Sequence, residues 1–396
     1  MTPDRERQPP QRLTILHVIT RLILGGAQQN TIMSCAAQTA AGHRVALAFG
    51  PIYGPEGSLL HEAQQSGAEL IEIPHMRREI SPWHDVLCYR DLKRLIRRLR
   101  PDVVHTHSSK AGILGRAAAW SQRVPAVIHT VHGLPFHDRQ PRWVHRAYVT
   151  AEKWAAQRCH HLIAITPAMR DAFAEQGIAP PQRFTVIPSG VDMTRFKADP
   201  AQRAAVRAEL GIPPDAPVLG IVARLDPLKG HDDLLDIFPR LRERLPELRM
   251  VWIGDGWDRA RLEARIRQLG AQDRVMLLGL VPHERVARLL TAVDVKALPS
   301  YQEGQSRTLV EALMCGCGIV AYDAGGIGSI CIDGQTGRLV PVGDRDALAQ
   351  AILWMFEHPD QRAEMIQRGQ AHVRARFDAR LMHAPIEQVY RQVLGG

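Results

Sequence analysis

The chain has 396 residues, of which 45% are hydrophobic and 23% charged. This length is generous for one domain and sufficient for two, and the composition excludes a disordered or fibrous protein. No run of about 18 apolar residues is present, so we expect no membrane-spanning helix and a cytoplasmic location. The polar, proline-rich residues 1–12 predict a disordered lead-in rather than a cleavable signal.

The net charge of +9 lies entirely in the first half of the chain. Residues 1–195 contain 24 Lys and Arg against 15 Asp and Glu, whereas residues 196–396 contain 26 of each. We therefore expect an anionic partner for the first half. That partner is not predicted to be nucleic acid, because only 5% of the residues are aromatic and they are not interleaved with the basic ones.

Alternating strand and helix patterns run along the whole chain, which predicts an α/β protein with parallel sheets. Short apolar runs predict strands at Thr14–Ile19, Val45–Phe49, Leu70–Ile73, Val103–His107, Ala126–Thr130, Leu162–Ile165, Phe184–Ile187, Val218–Val222, Met250–Ile253, Val275–Leu278, Val295–Leu298, Gly318–Tyr322 and Gly337–Val340. Dense proline and glycine over residues 189–217 predict a hinge. Two doubly wound domains are expected to face each other across a cleft, with ligands at the carboxyl ends of the strands.

The first glycine loop follows the first predicted strand and opens a helix. Gly25 and Gly26 allow a ligand to approach the backbone, and the helix N-terminus offers amide groups to an anion. A tight turn between strand and helix explains the same two glycines, and both interpretations stay open. The spacing differs from the G-x-G-x-x-G of dinucleotide-binding folds, which argues against an oxidoreductase.

A basic loop follows the first strand of the second half. Arg224 and Lys229 lie five residues apart between that strand and a helix predicted at Asp232–Leu241. Arg supplies a planar fork and Lys a compact charge, so both can face one diphosphate. An exposed basic loop is the alternative.

Two carboxylates flank the start of a later helix. Glu303 follows the strand Val295–Leu298, and Glu311 lies eight positions further on, inside the helix. A carboxylate accepts two hydrogen bonds and therefore suits sugar hydroxyls. The backbone amides of Gly304–Thr308 lie between them, where a helix N-terminus can bind phosphate.

No motif predicts a metal cofactor. His105 and His107 lie on one face of a strand end, where they can form a metal pair or simply pack. Asp344 and Asp346 are the other candidates, and Asp344 is predicted to cap the helix at Ala347–Phe356 instead. We therefore expect no metal and no other cofactor.

Taken together, these motifs resemble those of the retaining GT-B glycosyltransferases called family 4. The resemblance covers about residues 13–390 and rests on motifs in the order usual for the family: Gly25-Gly26-Ala27, His129-Thr-Val-His132-Gly133, Pro188-Ser189-Gly190-Val191-Asp192, Arg224…Lys229-Gly230, Glu303-x7-Glu311 and Ala324-Gly325-Gly326. It implies two Rossmann-like domains. The acceptor domain would be 13–195 with a crossover helix at 377–396, and the nucleotide-sugar domain 196–376.

The resemblance also implies roles for individual residues. Lys229, Glu303 and His132 would serve catalysis, Glu311 would bind the ribose, and Gly25-Gly26 would lie near phosphate and acceptor. The donor diphosphate would be bound by Arg224, Lys229, Gly304, Gln305, Ser306, Arg307 and Thr308, and the base by Leu280 and Val281. Gln28, Gln305-Ser306 and Gly328-Ser329 depart from the family pattern, so the transferred sugar is not predicted.

The expected activity is retaining, metal-independent hexosyl transfer from a nucleoside diphosphate sugar. The expected acceptor is a glycan or a lipid-linked molecule in cell-envelope or exopolysaccharide assembly. Another GT-B enzyme, such as a sugar-nucleotide epimerase or a phosphorylase, is one alternative, and a non-catalytic nucleotide-sugar-binding subunit is another. The presence of His132, Lys229 and Glu303 argues against the latter.

The basic helix predicted at Arg90–Arg100 bears on whether the acceptor is bound at a membrane. Its apolar positions Leu92, Leu95, Ile96 and Leu99 alternate with basic side chains. Such a helix can lie on the inner face of an anionic membrane, or it can pack on the first sheet with its basic residues in solvent. We expect peripheral contact between the basic half of the chain and anionic lipid.

Overall fold

The computed structural model describes residues 12–54, 56–137 and 140–395. They form two compact units, one running to Gly190 and resuming at Ala379, the other spanning Val191–Asp378. The sequence predicted the divisions at 195/196 and 376/377. Apart from Arg12, the predicted lead-in lies outside the described residues.

The first unit is a parallel seven-stranded sheet in the order β3-β2-β1-β4-β5-β6-β7. Its strands are β1 Thr14–Arg21, β2 Arg44–Gly50, β3 Glu69–Glu72, β4 Val103–His107, β5 Ala126–Val131, β6 His161–Ala164 and β7 Phe184–Val186. Its helices are α1 Gly26–Ala40, α2 Leu60–Gln65, α3 Pro82–Leu99, α4 Ser109–Ser121, α5 Arg142–Ala156 and α6 Pro167–Glu175, and it is completed by the last helix of the chain.

The second unit is a parallel six-stranded sheet in the order β10-β9-β8-β11-β12-β13. Its strands are β8 Val218–Val222, β9 Arg249–Ile253, β10 Val275–Leu277, β11 Val295–Leu298, β12 Gly318–Tyr322 and β13 Arg338–Val340. Its helices are α7 Pro200–Glu209, α8 His231–Arg244, α9 Arg259–Gln268, α10 His283–Thr291, α11 Arg307–Met314, α12 Arg345–Glu357 and α13 Pro359–Phe377. All thirteen predicted strands are confirmed, with ends that differ by two residues at most.

Apolar side chains cover both faces of the first sheet. Leu16 and Val18 of β1 pack in one cluster with Leu92 and Leu95 of α3. Ile15, one residue away and pointing to the opposite face, packs in a second cluster that the last helix covers. Because both faces of these strands are covered, successive side chains are apolar, and the strands appear in the sequence as short apolar runs. Each such buried side chain contributes about 1.5–3 kcal/mol to stability.

The apolar side of helix α3 packs against the first sheet, so it cannot contact a membrane surface. Leu92, Leu95, Ile96 and Leu99 are buried in the core beneath the sheet, while Arg94, Arg97 and Arg98 are exposed. Of the two interpretations of this helix, packing on the first sheet is therefore confirmed. Among residues 12–54, 56–137 and 140–395, no helix is both long enough and apolar enough to cross a membrane.

The end of the chain returns to the first unit, as predicted. A tight turn at Ala379–Leu381 leads into α14 His383–Gly395, whose residues Ile386, Val389 and Tyr390 pack with β1, β4 and β5. The predicted helix start at Phe377 is wrong, because Phe377 ends α13 and Asp378 is extended. A Cβ on Gly190 would lie 2.5 Å from the Ala379 Cα, so the backbone approaches closely there.

Candidate functional site

The predicted donor-site residues lie in loops at one edge of the second sheet. Arg224 follows β8, Glu303 follows β11 and Gly325 follows β12, and these strands are direct neighbours. Because the strands are parallel, their carboxyl ends meet at the same edge. The structure therefore brings together three motifs that are spread over about a hundred residues of the sequence.

The loop from Arg224 to Gly230 is held rigidly against its neighbour. The Asp226 carboxylate accepts a hydrogen bond from the Leu228 amide at 2.9 Å and caps a single turn that ends at Lys229. Gly230 has a φ of +70°, and a Cβ there would lie 2.0 Å from the carbonyl oxygen of Pro299. Only glycine fits this close approach, which fixes Lys229 beside the loop after β11.

Lys229 and Glu303 form an ion pair. The Lys229 Nζ lies 2.6 Å from a Glu303 carboxylate oxygen, and both side chains are largely shielded from solvent. The loop Ala324-Gly325-Gly326 supports this carboxylate: a Cβ on Gly325 would lie 2.0 Å from the Glu303 carbonyl oxygen, and the Gly326 amide donates to Gly304 at 3.0 Å. The conformation of the Glu303 loop therefore depends on close backbone packing against Gly325 and Gly326.

Helix α11 starts immediately beyond this pair. Ser306 occupies its N-cap position, and Gln305, Ser306 and Arg307 are all buried. Glu311, one turn into the helix, is buried as well, and its carboxylate lies 3.3 Å from Nε2 of His283. Burial lowers the pKa of Arg307 below its ordinary value. The backbone amides of Gly304–Thr308, which are predicted to bind phosphate, thus lie at the buried N-terminal end of α11.

Lys296 is a site residue that the sequence reasoning missed. It lies within β11, is fully buried, and donates from Nζ to the Thr308 hydroxyl at 2.8 Å. Burial lowers its pKa to about 8, against the opposing influence of the Glu303 and Glu311 carboxylates. A lysine inside the apolar run Val-Lys-Ala-Leu was the available signal, since a buried charge requires a partner.

The predicted base-binding residues lie after β10. Leu280 is exposed, whereas Val281 packs partly against the core. The Gly254 amide donates to the Gly279 carbonyl at 2.9 Å, and a Cβ on Gly254 would lie 2.1 Å from the Ala223 carbonyl oxygen. Gly254 thus lets the loops after β8, β9 and β10 approach one another, and the sequence reasoning missed it.

In the first unit, the predicted residues also lie at the carboxyl edge of the sheet. Gly25 is the N-cap residue of α1 and provides no capping side chain, and Gly26 is the first residue of the helix. His132 directly follows β5, and β4 lies between β5 and β1.

A chain of histidines begins at His132. Its Nε2 lies 2.9 Å from Nδ1 of His107, and Nε2 of His107 lies 2.9 Å from Nδ1 of His17. His17 and His107 are fully buried, which lowers the pKa of His17 to about 4 and that of His107 well below its ordinary value. His132 was predicted from the sequence as a site residue and His107 was named there as a metal or packing residue, whereas His17 was not singled out and the contacts among the three were not predicted.

Every ring nitrogen of His105 and His107 lies beside a hydrogen-bonding partner. Nδ1 of His105 lies 2.6 Å from the Tyr390 hydroxyl and its Nε2 lies 2.7 Å from the Thr130 hydroxyl. Both nitrogens of His107 lie beside other imidazoles. Of the two interpretations of this pair, strand-end packing accounts for every ring nitrogen. Asp344 caps α12 as predicted, accepting from the Ala347 amide at 2.9 Å.

Two family models match the chain in succession. Residues 24–195 match Glycosyltransferase Family 4, and residues 202–372 match Glycosyl transferases group 1. A relative named D-inositol 3-phosphate glycosyltransferase 2, from Catenulispora acidiphila, is 30% identical over 73% of this chain and 70% of its own length. The chain belongs to the family 4 glycosyltransferases.

Further relatives fall in the same family. A D-inositol 3-phosphate glycosyltransferase from Nocardia farcinica is 32% identical over 68% of this chain, which spans only 62% of that protein. A protein from Escherichia coli named UDP-Gal:alpha-D-GlcNAc-diphosphoundecaprenol alpha-1,3-galactosyltransferase is 29% identical over 71% of this chain and 73% of its own length.

Solved structures confirm the predicted GT-B fold. Anabaena HepE in complex with UDP-glucose has a TM-score of 0.83, is 23% identical, and is matched over 96% of this chain and 100% of its own. At that identity the likeness shows the fold alone. The family 4 assignment and the two parallel α/β units agree with what the sequence motifs implied.

Proposed function

We propose that this family 4 enzyme transfers a hexose from a nucleoside diphosphate sugar, with retention of configuration, to a glycan or lipid-linked acceptor in cell-envelope or exopolysaccharide assembly. The Lys229–Glu303 pair carries the proposal, because it sets a cation and a carboxylate 2.6 Å apart beside the end of α11. The cation suits a diphosphate and the carboxylate suits the hydroxyls of the sugar next to it.

The remaining predicted residues complete the donor site. Arg224 and Lys229 would bind the diphosphate together with the amides of Gly304–Thr308, the buried Glu311 would accept hydrogen bonds from the ribose, and Leu280 and Val281 would contact the base. Lys296 adds a cation behind Thr308. These fixed charges and amides stabilise the departing diphosphate, so the proposed transfer requires no metal.

In the proposed reaction, the acceptor hydroxyl oxygen forms a bond to the anomeric carbon as the bond from that carbon to the phosphate oxygen breaks. Attack comes from the face that the phosphate leaves, and the hydroxyl proton passes to the leaving phosphate. The configuration is therefore retained. Proton NMR of a fresh product tests this, since an inverted anomeric coupling would contradict it.

The proposed nucleoside is uridine. Two names support it: the Escherichia coli relative uses UDP-Gal, and HepE was solved with UDP-glucose. A screen of UDP-, GDP- and ADP-sugars should show thermal stabilisation and slow donor hydrolysis with UDP-sugars. Absence of both with all three nucleotides would contradict the proposed function, and product analysis separates transfer from the epimerase and phosphorylase alternatives.

Glu311→Gln is expected to weaken donor binding by about 10- to 100-fold. The amide retains the shape but loses the charged acceptor for two ribose hydroxyls, and hydrogen bonds to charged groups contribute about 1.5–3 kcal/mol. The measurement is the donor KM and the UDP dissociation constant. Glu284→Gln, which removes an exposed carboxylate paired with Arg195 at 3.2 Å, is the matched control. Equal donor affinity in both variants would contradict the ribose assignment.

The proposed membrane contact rests on helix α5. Trp143, Ala147, Ala151 and Trp154 form one stripe along it, and the two indoles are 75% and 42% exposed. Arg142, Arg146 and Lys153 are exposed beside the stripe. The acidic residue of this helix, Glu152, is buried and paired with Arg116 at 2.7 Å. Exposed Trp beside exposed basic residues suits the interface of an anionic bilayer, here proposed to be the cytoplasmic face.

The protein is expected to sediment with vesicles containing phosphatidylglycerol and not with phosphatidylcholine vesicles. Replacing Trp143 and Trp154 together with Ser should leave most of the protein in the supernatant, because the apolar anchors are lost. Trp257→Ser removes an exposed indole from the second unit and should leave sedimentation with the vesicles unchanged. Equal recovery of the unaltered protein in the supernatant with both lipids would remove the membrane proposal.

A further inference from the structure

Seven side chains of the first unit form one continuous hydrogen-bonded chain. Running inward from the carboxyl edge of the sheet, they are His132, His107, His17, Gln38, Tyr390, His105 and Thr130, and successive polar atoms lie 2.6–3.2 Å apart. They come from β4, β5, β1, α1 and α14 and from the residue after β5. Six of them are buried and His132 is half-buried.

The Gln38 amide gives this chain a direction. Its oxygen lies 2.7 Å from Nε2 of His17 and can only accept, so His17 carries its proton on Nε2 and accepts at Nδ1. The His107 Nε2 must then donate to His17, which leaves Nδ1 of His107 as an acceptor. The His132 Nε2 in turn donates to His107. One amide therefore sets the tautomers of three imidazoles.

The amide nitrogen of Gln38 sets the direction of the remaining hydrogen bonds in the same way. The Gln38 nitrogen donates to the Tyr390 hydroxyl at 3.2 Å, the hydroxyl donates to Nδ1 of His105, and Nε2 of His105 donates to Thr130. Every proton of the chain thus has one consistent place. The arrangement requires neutral imidazoles, each with one donor and one acceptor nitrogen, and burial favours that form by lowering the pKa of His17, His105 and His107.

We infer that His107, His17 and Gln38 are positioning residues that hold His132 as the Nε2–H tautomer and so leave its Nδ1 as the nitrogen that can accept a hydrogen bond. The inference rests on the proposed function for the role of His132, but not for its tautomer. A fixed tautomer matters because a ring nitrogen that carries a proton can only donate a hydrogen bond, whereas the bare ring nitrogen can only accept one.

A metal ion is the competing use of the same residues. His17, His105 and His107 each offer a ring nitrogen within 4.8 Å of the others. The hydrogen-bonded chain already occupies both nitrogens of all three rings, so a metal would have to displace at least one of these bonds. The bonds to Gln38, Tyr390 and Thr130 favour the hydrogen-bonded chain.

Long-range ¹H–¹⁵N NMR of the histidine-labelled full-length protein reads the tautomers directly. His17 and His107, assigned by single substitutions, should show the Nε2–H pattern from pH 6.5 to 8, and His132 should show it at pH 8. An Nδ1–H or mixed pattern at His107 or His132 would overturn the inference, as would one equivalent of zinc by elemental analysis of the purified protein. This readout needs no turnover, so it stands apart from a failure of the proposed function.

His107→Leu should lower kcat by roughly 10- to 100-fold with little change in donor KM, because His132 remains but loses its fixed tautomer. In the same variant the His132 signal should become a mixture of both tautomers. His129→Leu is the matched control: His129 is an equally buried imidazole, bonded to Thr106 outside the chain, and its loss should leave the His132 pattern unchanged. An unchanged His132 pattern in His107→Leu would overturn the inference.

Discussion

Replacing Lys229 with alanine is expected to lower sugar transfer about a thousandfold while the protein stays folded. In the proposed transition state this ammonium faces the charge that develops on the departing diphosphate, and loss of one preorganised electrostatic contact commonly lowers kcat by about 10²–10³. Because Glu303 lies 2.6 Å away, the variant also leaves that carboxylate without its cation. Both effects act on the reacting sugar phosphate, so kcat should fall more than donor affinity.

The stability change should be small by comparison. Lys229 lies in a turn outside the apolar clusters of its unit, and its side chain is 20% exposed, so solvent screening is expected to limit the contribution of its ion pair to about 1 kcal/mol. Circular dichroism should therefore give the same spectrum, and the melting temperature should fall by a few degrees at most. Lys197→Ala, which removes an exposed lysine of the same unit, is the control and should retain full turnover. Near-normal turnover of Lys229→Ala would contradict the whole donor-site assignment.

Acid should destabilise the protein well above the pH at which carboxylates protonate. The folded pKa of His17 is about 4, and burial lowers the pKa of His105, His107 and His129 well below the ordinary value near 6.5. Below pH 6.5 the unfolded chain therefore binds more protons than the folded one. The stability from these groups is complete above pH 6.5 and is lost as the pH falls towards 4.

The expected size of this loss is large. His17 alone accounts for about 3 kcal/mol between pH 6.5 and 4, at 1.36 kcal/mol for each pKa unit. The measurement is the urea midpoint of unfolding at pH 7, 6 and 5, followed by far-UV circular dichroism. His107→Leu should show a shallower pH dependence, whereas His61→Gln, which replaces an exposed histidine, should match the unaltered protein. A midpoint that stays constant from pH 7 to pH 5 would contradict burial of these imidazoles in the neutral form.

The fold was predictable because its strands are buried on both faces. Such strands appear as short apolar runs between turn residues, and every predicted run is a strand of the structure. The closing helix was predicted less well, since its start depends on how closely the backbone at Ala379 passes Gly190. That contact involves residues far apart in the sequence and leaves no local pattern.

The candidate site residues were predictable only where they belong to a recognisable sequence motif. Lys229 and Glu303 were both found, but their 2.6 Å pairing follows from the adjacency of β8 and β11, which spacing along the chain does not reveal. Lys296 was missed because it lies within the apolar run of a strand, which the sequence pattern assigns to the hydrophobic core. Gln38 and Tyr390 were missed because 352 residues separate them, and neither belongs to a motif.

The return of α14 to the first sheet also sets an order of assembly. Val191–Asp378 is a continuous stretch, whereas the other unit needs residues from both sides of it. On the ribosome, the strands carrying Ile15 and Ile128 emerge long before Ile386, which packs with them. Until that helix arrives, Ile15 and Ile128 lack the apolar partners that α14 supplies, and His105 has no Tyr390 hydroxyl beside it. The first unit is therefore completed only after the continuous stretch Val191–Asp378 has been made.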